Sequence, residues 1–170
     1  MNSSLAEIRA SIMQLALKID APEDILPTFG YTRDGGHAHI EINNGNRVYY
    51  VAIERGQEVY RFEPQSMDEL LYKVFENAAW VIAGEYELKN RIAGQDFRRM
   101  LFKEQERLIG ILNENWELEL NKKHQAILIK HPFDDHGSER ATYTAQLRAS
   151  GETPNDAWDI ACKKYPLPHQ

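Results

Sequence analysis

Apolar residues recur at steps of three and four over most of this chain and at steps of two in one early stretch, and that contrast predicts the order of its elements. Leu5, Ile8, Ile12, Leu15 and Ile19 fall on one helical face. Ser4 with Glu7 makes the S-x-x-E signature of a capping box, and Pro22 prevents the helix from continuing. A loop rich in turn formers follows (Pro27, Gly30, Asp34, Gly35, Gly36), and the period then changes to two. Residues 37–42, 47–54 and 58–62 read as three strands. Asn44-Gly45 offers the positive φ angles of a tight turn, and Arg55-Gly56-Gln57 a second reversal, so the expectation is a three-stranded antiparallel meander.

Helical spacing returns at Ser66, which with Glu69 repeats the capping box. Met67, Leu70, Leu71, Val74, Phe75, Ala78, Val81 and Ile82 form a broad apolar stripe. The polar passage GEYELKNRIAG leads into a helix carrying Phe97, Met100, Leu101, Leu108, Ile111 and Leu112 on one side. Asn113 to Asn115 break it, and a further helix runs from about Trp116 to Lys130, where Pro132 pushes His131 out of helical geometry. Ser138 can cap a short helix that Gly151 ends. Thr153 and Pro154 open the last helix, with Trp158, Ala161, Cys162 and Tyr165 expected on its buried face. Helix, meander, then helices reads as α+β: an N-terminal helix, a small antiparallel three-stranded meander, and a mainly helical C-terminal two thirds packed on the sheet.

At 170 residues the chain can bury a sizeable core, and a single domain over 1–170 is expected. No run approaches the roughly 18 apolar residues that cross a bilayer, and the start has no basic flank followed by an apolar segment. A lone cysteine, Cys162, excludes an internal disulfide framework and suits a reducing, cytoplasmic setting. The net charge of −6 hides no basic patch. Residues 1–65 carry nine acids and six bases, 66–135 thirteen and ten, and 136–170 four and four. Nucleic-acid binding, which runs on clustered Lys and Arg, is therefore not expected, and the acidic excess favours a basic partner.

Candidate chemistry is sparse. His37 and His39 form an H-x-H whose rings share one strand face, and Asp134, Asp135 and His136 could add distant ligands to a small metal-assisted hydrolase. The helical H-x-x-x-H or E-x-x-H that such sites favour is missing, so no metal and no cofactor are expected. Cys162 sits in an apolar stripe and reads as a small buried hydrophobe rather than a nucleophile. The charges around the third helix are more informative. Glu87 precedes Arg91 by four, Asp96 precedes Arg99 by three, and Arg98 and Arg99 adjoin apolar residues, so at least one guanidinium must find a carboxylate among Glu85, Glu87 and Asp96. Two readings stay open: a polar cluster that fixes the turn between helices, which the spacing favours, or part of an interface.

At these residues the sequence resembles a known family. The strings YYVAIERGQEVYRFEP, MDELLYKVFENAAWVIAGEYELKNRIAGQDFRRMLFKEQERLIGILNENW and ILIKHPFDD are similar to the Immunity protein 63 family of bacterial polymorphic-toxin systems, from about Tyr49 to Asp135. The AWDIACKKYPLP ending extends the likeness. The resemblance implies a cytoplasmic protein that protects its producer, or its sibling cells, by neutralising a toxin domain delivered between bacteria, and it carries over no catalytic or toxin-contact residue; the missing ligand and triad patterns add the expectation that it is not an enzyme. Contacts are instead expected at acids on weakly apolar faces. These are Glu114, Glu117 and Glu119 around an exposed Trp116, with Glu54 and Glu58 beside the second strand reversal as the alternative patch. A structural or adaptor domain without a toxin is the competing class.

Overall fold

A computed structural model describes residues 3–168. Among these, six α-helices and a four-stranded sheet occur in the order α1 (Leu5–Ala16), β1 (Thr28–Phe29), β2 (Ala38–Ile42), β3 (Val48–Glu54), β4 (Gln57–Phe62), α2 (Met67–Asn90), α3 (Arg98–Leu112), α4 (Glu114–Lys130), α5 (Gly137–Ala149) and α6 (Pro154–Lys164). The chain divides into two compact units, one running to Ile82 and including Gln105–Leu118, the other made of Ala83–Glu104 and the residues from Glu119 onward. Helices α2, α3 and α4 each contribute to both.

In the first unit, the Ser4 hydroxyl accepts the Glu7 N–H while the Glu7 carboxylate takes the Ser4 N–H at 2.8 Å, so the expected capping box starts α1. A short 3-10 turn over Leu17–Ile19 extends it until Asp20 adopts a left-handed backbone ahead of Pro22. Ile8 and Ile12 are fully buried against the sheet side of the unit, and α1 lies against β2. The sheet is mixed and four-stranded, in the order β1-β2-β3-β4, which corrects the expected three antiparallel strands. Thr28 and Phe29 pair in parallel with His39 and Ile40. A two-residue strand behind Pro27 has too little length to show a period, and its partner lies beyond a turn-rich loop.

The two hairpins differ in their turns. Arg55 and Gly56 both have positive φ, 53° and 72°, and close β3 onto β4 with Glu54 opposite Gln57. The first hairpin places its left-handed residue at Asn46 rather than at Asn44-Gly45, because the Asn43 side chain accepts the Gly45 and Arg47 N–H groups and shapes a longer loop. The first part of α2 packs on the sheet: Asn77 donates to the Tyr50 hydroxyl at 2.8 Å, and the Lys73 ammonium lies 5.3 Å from the Tyr60 ring centre. Ser66 caps α2 through the Glu69 N–H, while Glu69 reaches back to the Gln65 N–H rather than to Ser66 itself. Ile40, Val51, Leu70, Val74, Phe75 and Ile109 make the buried interior, and truncating one of the larger of these to Ala costs on the order of 2–5 kcal/mol.

In the second unit Ala83, Leu101 and Phe102 form a small core, with Leu128 and Phe133 packed against it. The Phe102 ring stacks on the buried His124 imidazole at 3.9 Å. α5 and α6 pack together, with Ala157 and Ala161 fully buried. Thr153 caps α6 through the Asp156 N–H as expected, but Trp158, expected on the buried face, is 43% exposed. Its ring instead lies 5.5 Å from the Arg140 guanidinium. Helix α5 begins one residue before Ser138, with His136 in the cap position and no side-chain cap bond, so Ser138 is not the cap.

Candidate interaction site

The polar passage after Ile82 remains helical through Asn90, which places Glu85 and Glu87 on the last turns of α2. Glu87 is buried, and Arg91, just past the helix end, clamps it with two bonds of 2.8 and 2.7 Å. That guanidinium holds the Glu87 carboxyl below the usual carboxylate range. Glu85 takes no part: it makes only an exposed contact with Lys89 at 3.5 Å. At the start of α3 the buried Asp96 accepts the Arg98 main-chain N–H at 2.9 Å, a helix cap, and the Arg98 side chain at 2.6 Å. Burial resists its ionisation, yet these bonds and the Asp134 N–H at 2.8 Å outweigh that effect and lower the Asp96 carboxyl overall.

Arg98 also donates to the carbonyl oxygens of His131 and Pro132, each at 2.9 Å. Arg99 turns to Asp135, which it grips with two 2.8 Å bonds while lying 4.2 Å from the Phe133 ring centre. Asp135 accepts the Asp96 N–H as well, and the Arg99 bonds with that one hold its carboxyl down at about 2. Arg140, 3% exposed, closes the circuit: it binds the Asp134 carboxylate and donates to the carbonyls of Tyr165 and Pro166, each at 3.0 Å. The network therefore joins the loop before α3, the loop after α4, the start of α5 and the end of α6 through charge-assisted bonds. Of the six residues expected to form a polar cluster, Asp96, Arg98 and Arg99 are in it, Glu87 and Arg91 make a separate pair, and Glu85 pairs only with Lys89.

Sequence spacing missed half of the network. Asp134 and Asp135 read as distant metal ligands, yet here each carboxylate serves an arginine, and Arg140 carried no signal at all. Asp135 meets Arg99 across 36 residues and the Asp96 N–H across 39, beyond the reach of local periodicity, and Asp134 meets Arg140 across six, which is no helical step. His39 is buried, with its Nε2 3.4 Å from Glu41, and His37 is half-buried. Among the described residues no three His, Cys, Asp or Glu side chains gather with the geometry of a metal site.

Beside the network lies a groove of about 1040 Å³ whose walls include the 91–98 loop, the first turns of α5, and Lys164 with Tyr165. Ile92 and Phe97 on its wall are 53% and 50% exposed, so the groove combines apolar side chains with charge. Lys164 is drawn over the Tyr143 ring at 4.1 Å.

Of the residues expected to contact a partner, Glu54, Glu58, Glu114, Trp116 and Glu117 fall in the first unit and Glu119 in the second. Glu54, Glu58, Glu114 and Glu119 are exposed; Glu58 is taken up by Arg61 and Glu119 pairs with Lys123. Glu117 is half-buried and stands over Gly110, where an added Cβ would come within 2.5 Å of its carboxylate. Trp116 corrects the expectation of an exposed ring: it is 5% exposed, tilts against Tyr72 at 5.9 Å and donates its indole N–H to Asp68 at 3.1 Å. Its helix starts two residues earlier than expected, capped by Asn113, which turns Trp116 inward.

With the geometry described, comparison with known proteins adds one finding. Residues 44–126 match the family model of Immunity protein 63. No curated protein and no solved structure matches the chain.

Proposed function

We propose that this chain, whose residues 44–126 match the family model of Immunity protein 63, neutralises a cognate bacterial toxin domain by direct, stoichiometric binding in the cytoplasm. The family match carries this reading. The physical character of the chain supports it: an acidic protein of net charge −6 is drawn to a basic partner, and toxin domains that act on nucleic acid present basic sites. The two units work in this reading as one immunity domain. Protection needs no chemical step, only a surface held rigid enough to cover the toxin, and the arginine–carboxylate network supplies such rigidity. Glu54, Glu114 and Glu119 remain exposed acids that can steer the approach, whereas Trp116 is part of the core.

The test is co-expression. Cells producing the toxin domain encoded beside this chain grow when the chain is present and stop growing when it is absent, and the two proteins elute together as a one-to-one complex. Growth arrest in both cultures would remove the immunity reading.

A further inference from the structure

The groove beside the arginine network holds a carboxylate that the network does not use. Asp96, Asp134 and Asp135 are each answered by an arginine, whereas Glu139, in the first turn of α5, has no cation partner among the described residues. Its Oε2 is shut off from solvent and accepts no hydrogen bond. The other oxygen lies beneath the Gly94 turn, 3.6 Å from where a Cβ on that glycine would stand. A carboxylate oxygen removed from water and given no donor is unfavourable, and the half-buried Glu139 side chain, which lines the groove, is relieved of that cost when it turns to meet an entering donor.

We propose that this groove is the receptor for a lysine or arginine side chain of the toxin, with Glu139 accepting its charge and Ile92 and Phe97 flanking its aliphatic stem. The inference rests on the immunity reading and names the chemistry of the partner at one point. Charge complementarity selects that occupant: the arginines that line or back the groove are already committed to carboxylates, so the free anion is Glu139. The free cation is Lys164, held over Tyr143 and Tyr165, and it can take a carbonyl or carboxylate next to the entering side chain. The fixed pairs leave the walls preorganised, which lowers the ordering cost of binding. A carboxylate in the first turn of a helix also favours the helix dipole, but that role would show in stability and not in affinity.

Isothermal titration with the purified toxin domain encoded beside the chain separates these roles. Glu139→Gln keeps the shape and removes the charge; affinity falls at least about tenfold with little change in melting temperature. Thr142→Arg places a guanidinium three residues along the same helix, where it pairs with Glu139 and fills the groove; binding is lost while stability holds or rises. Glu152→Gln, an exposed acid in the turn after α5, binds as the wild type does. Thr142→Arg decides the matter if Glu139→Gln folds poorly. Both groove variants binding within about twofold of wild type would overturn the receptor and leave immunity standing. A wild-type chain that does not bind the toxin removes the immunity reading, and the receptor with it.

Discussion

The Asp135 carboxylate accepts the main-chain N–H of Asp96 at 2.8 Å across 39 residues of sequence. Through this bond the loop after α4 and the loop before α3 hold each other, and Asp96 returns the bond by accepting the Asp134 N–H. Each aspartate also receives an arginine, so removing either carboxylate takes an acceptor from both a cation and a main-chain donor.

Single alanine substitutions grade the network. Asp96→Ala leaves the largely buried Arg98 without its carboxylate, though still bonded to two carbonyls, and two N–H groups without an acceptor, and costs roughly 3 kcal/mol. Glu85→Ala removes an exposed pair and costs under about 1 kcal/mol. Urea melts measure both. Equal midpoints would move Asp96 out of the scaffold.

Arg140 has its own signature. Because it is buried beside Asp134 and bonded to the carbonyls of Tyr165 and Pro166, Arg140→Ala leaves the half-buried Asp134 carboxylate without a cation and two carbonyls without their donor, and costs roughly 3 kcal/mol. Lys in its place retains the charge but not the planar fork, and recovers only part of the loss. Full recovery by Lys in the same melts would show that the fork is dispensable.

Acid should weaken the second unit. The folded Asp135 carboxyl stands at about 2, below its ordinary 3.8, so its contribution is complete above the ordinary value and is lost as pH falls through about 2. The stability difference between wild type and Asp135→Asn is therefore constant near neutrality, shrinks below about pH 4 and vanishes near pH 2. Salt narrows it, since the pair is partly exposed. A difference that stays constant down to pH 2 would show that the carboxylate is not held in its ionised form.

How much of this was legible in the sequence depends on the range of each interaction. The Ser4–Glu7 box, the Arg55-Gly56 turn and the Thr153–Pro154 helix start are made by residues within four positions of one another, and the sequence shows them directly. Glu87 with Arg91 belongs to the same class, whereas Asp96, expected three before Arg99, pairs with Arg98 and leaves Arg99 to Asp135. β1 was not legible, because its parallel pairing with His39 and Ile40 is made across a loop and its two residues carry no period. Asp134 and Asp135 were visible only as acids; Asp135 serves Arg99 across 36 residues, and Asp134 serves Arg140 six residues on, across the irregular start of α5, so neither pair falls on a helical three- or four-residue step. Trp116 was misread because the Asn113 cap shifts the phase of its helix.

The strand histidines separate binding from metal chemistry. A chain with His37→Ala and His39→Ala neutralises the toxin as well, mole for folded mole, as the wild type, with some loss of stability because His39 is buried. Loss of neutralisation together with one zinc per wild-type chain would instead support the hydrolase class.

Electrostatic approach predicts a rate. Stopped-flow association with the toxin domain slows as the Debye length falls from about 30 Å at 0.01 M salt to about 10 Å at 0.1 M, while dissociation changes little. Charge reversal at Glu54, Glu114 and Glu119 together reduces the low-salt rate. An association rate independent of salt would rule out steering.

Stoichiometric neutralisation is tested most directly by titrating a fixed amount of the toxin domain with this protein and measuring residual toxin activity. At concentrations well above the dissociation constant, activity falls linearly and reaches zero at one chain per toxin. Toxin left fully active in a saturated one-to-one mixture would contradict the account.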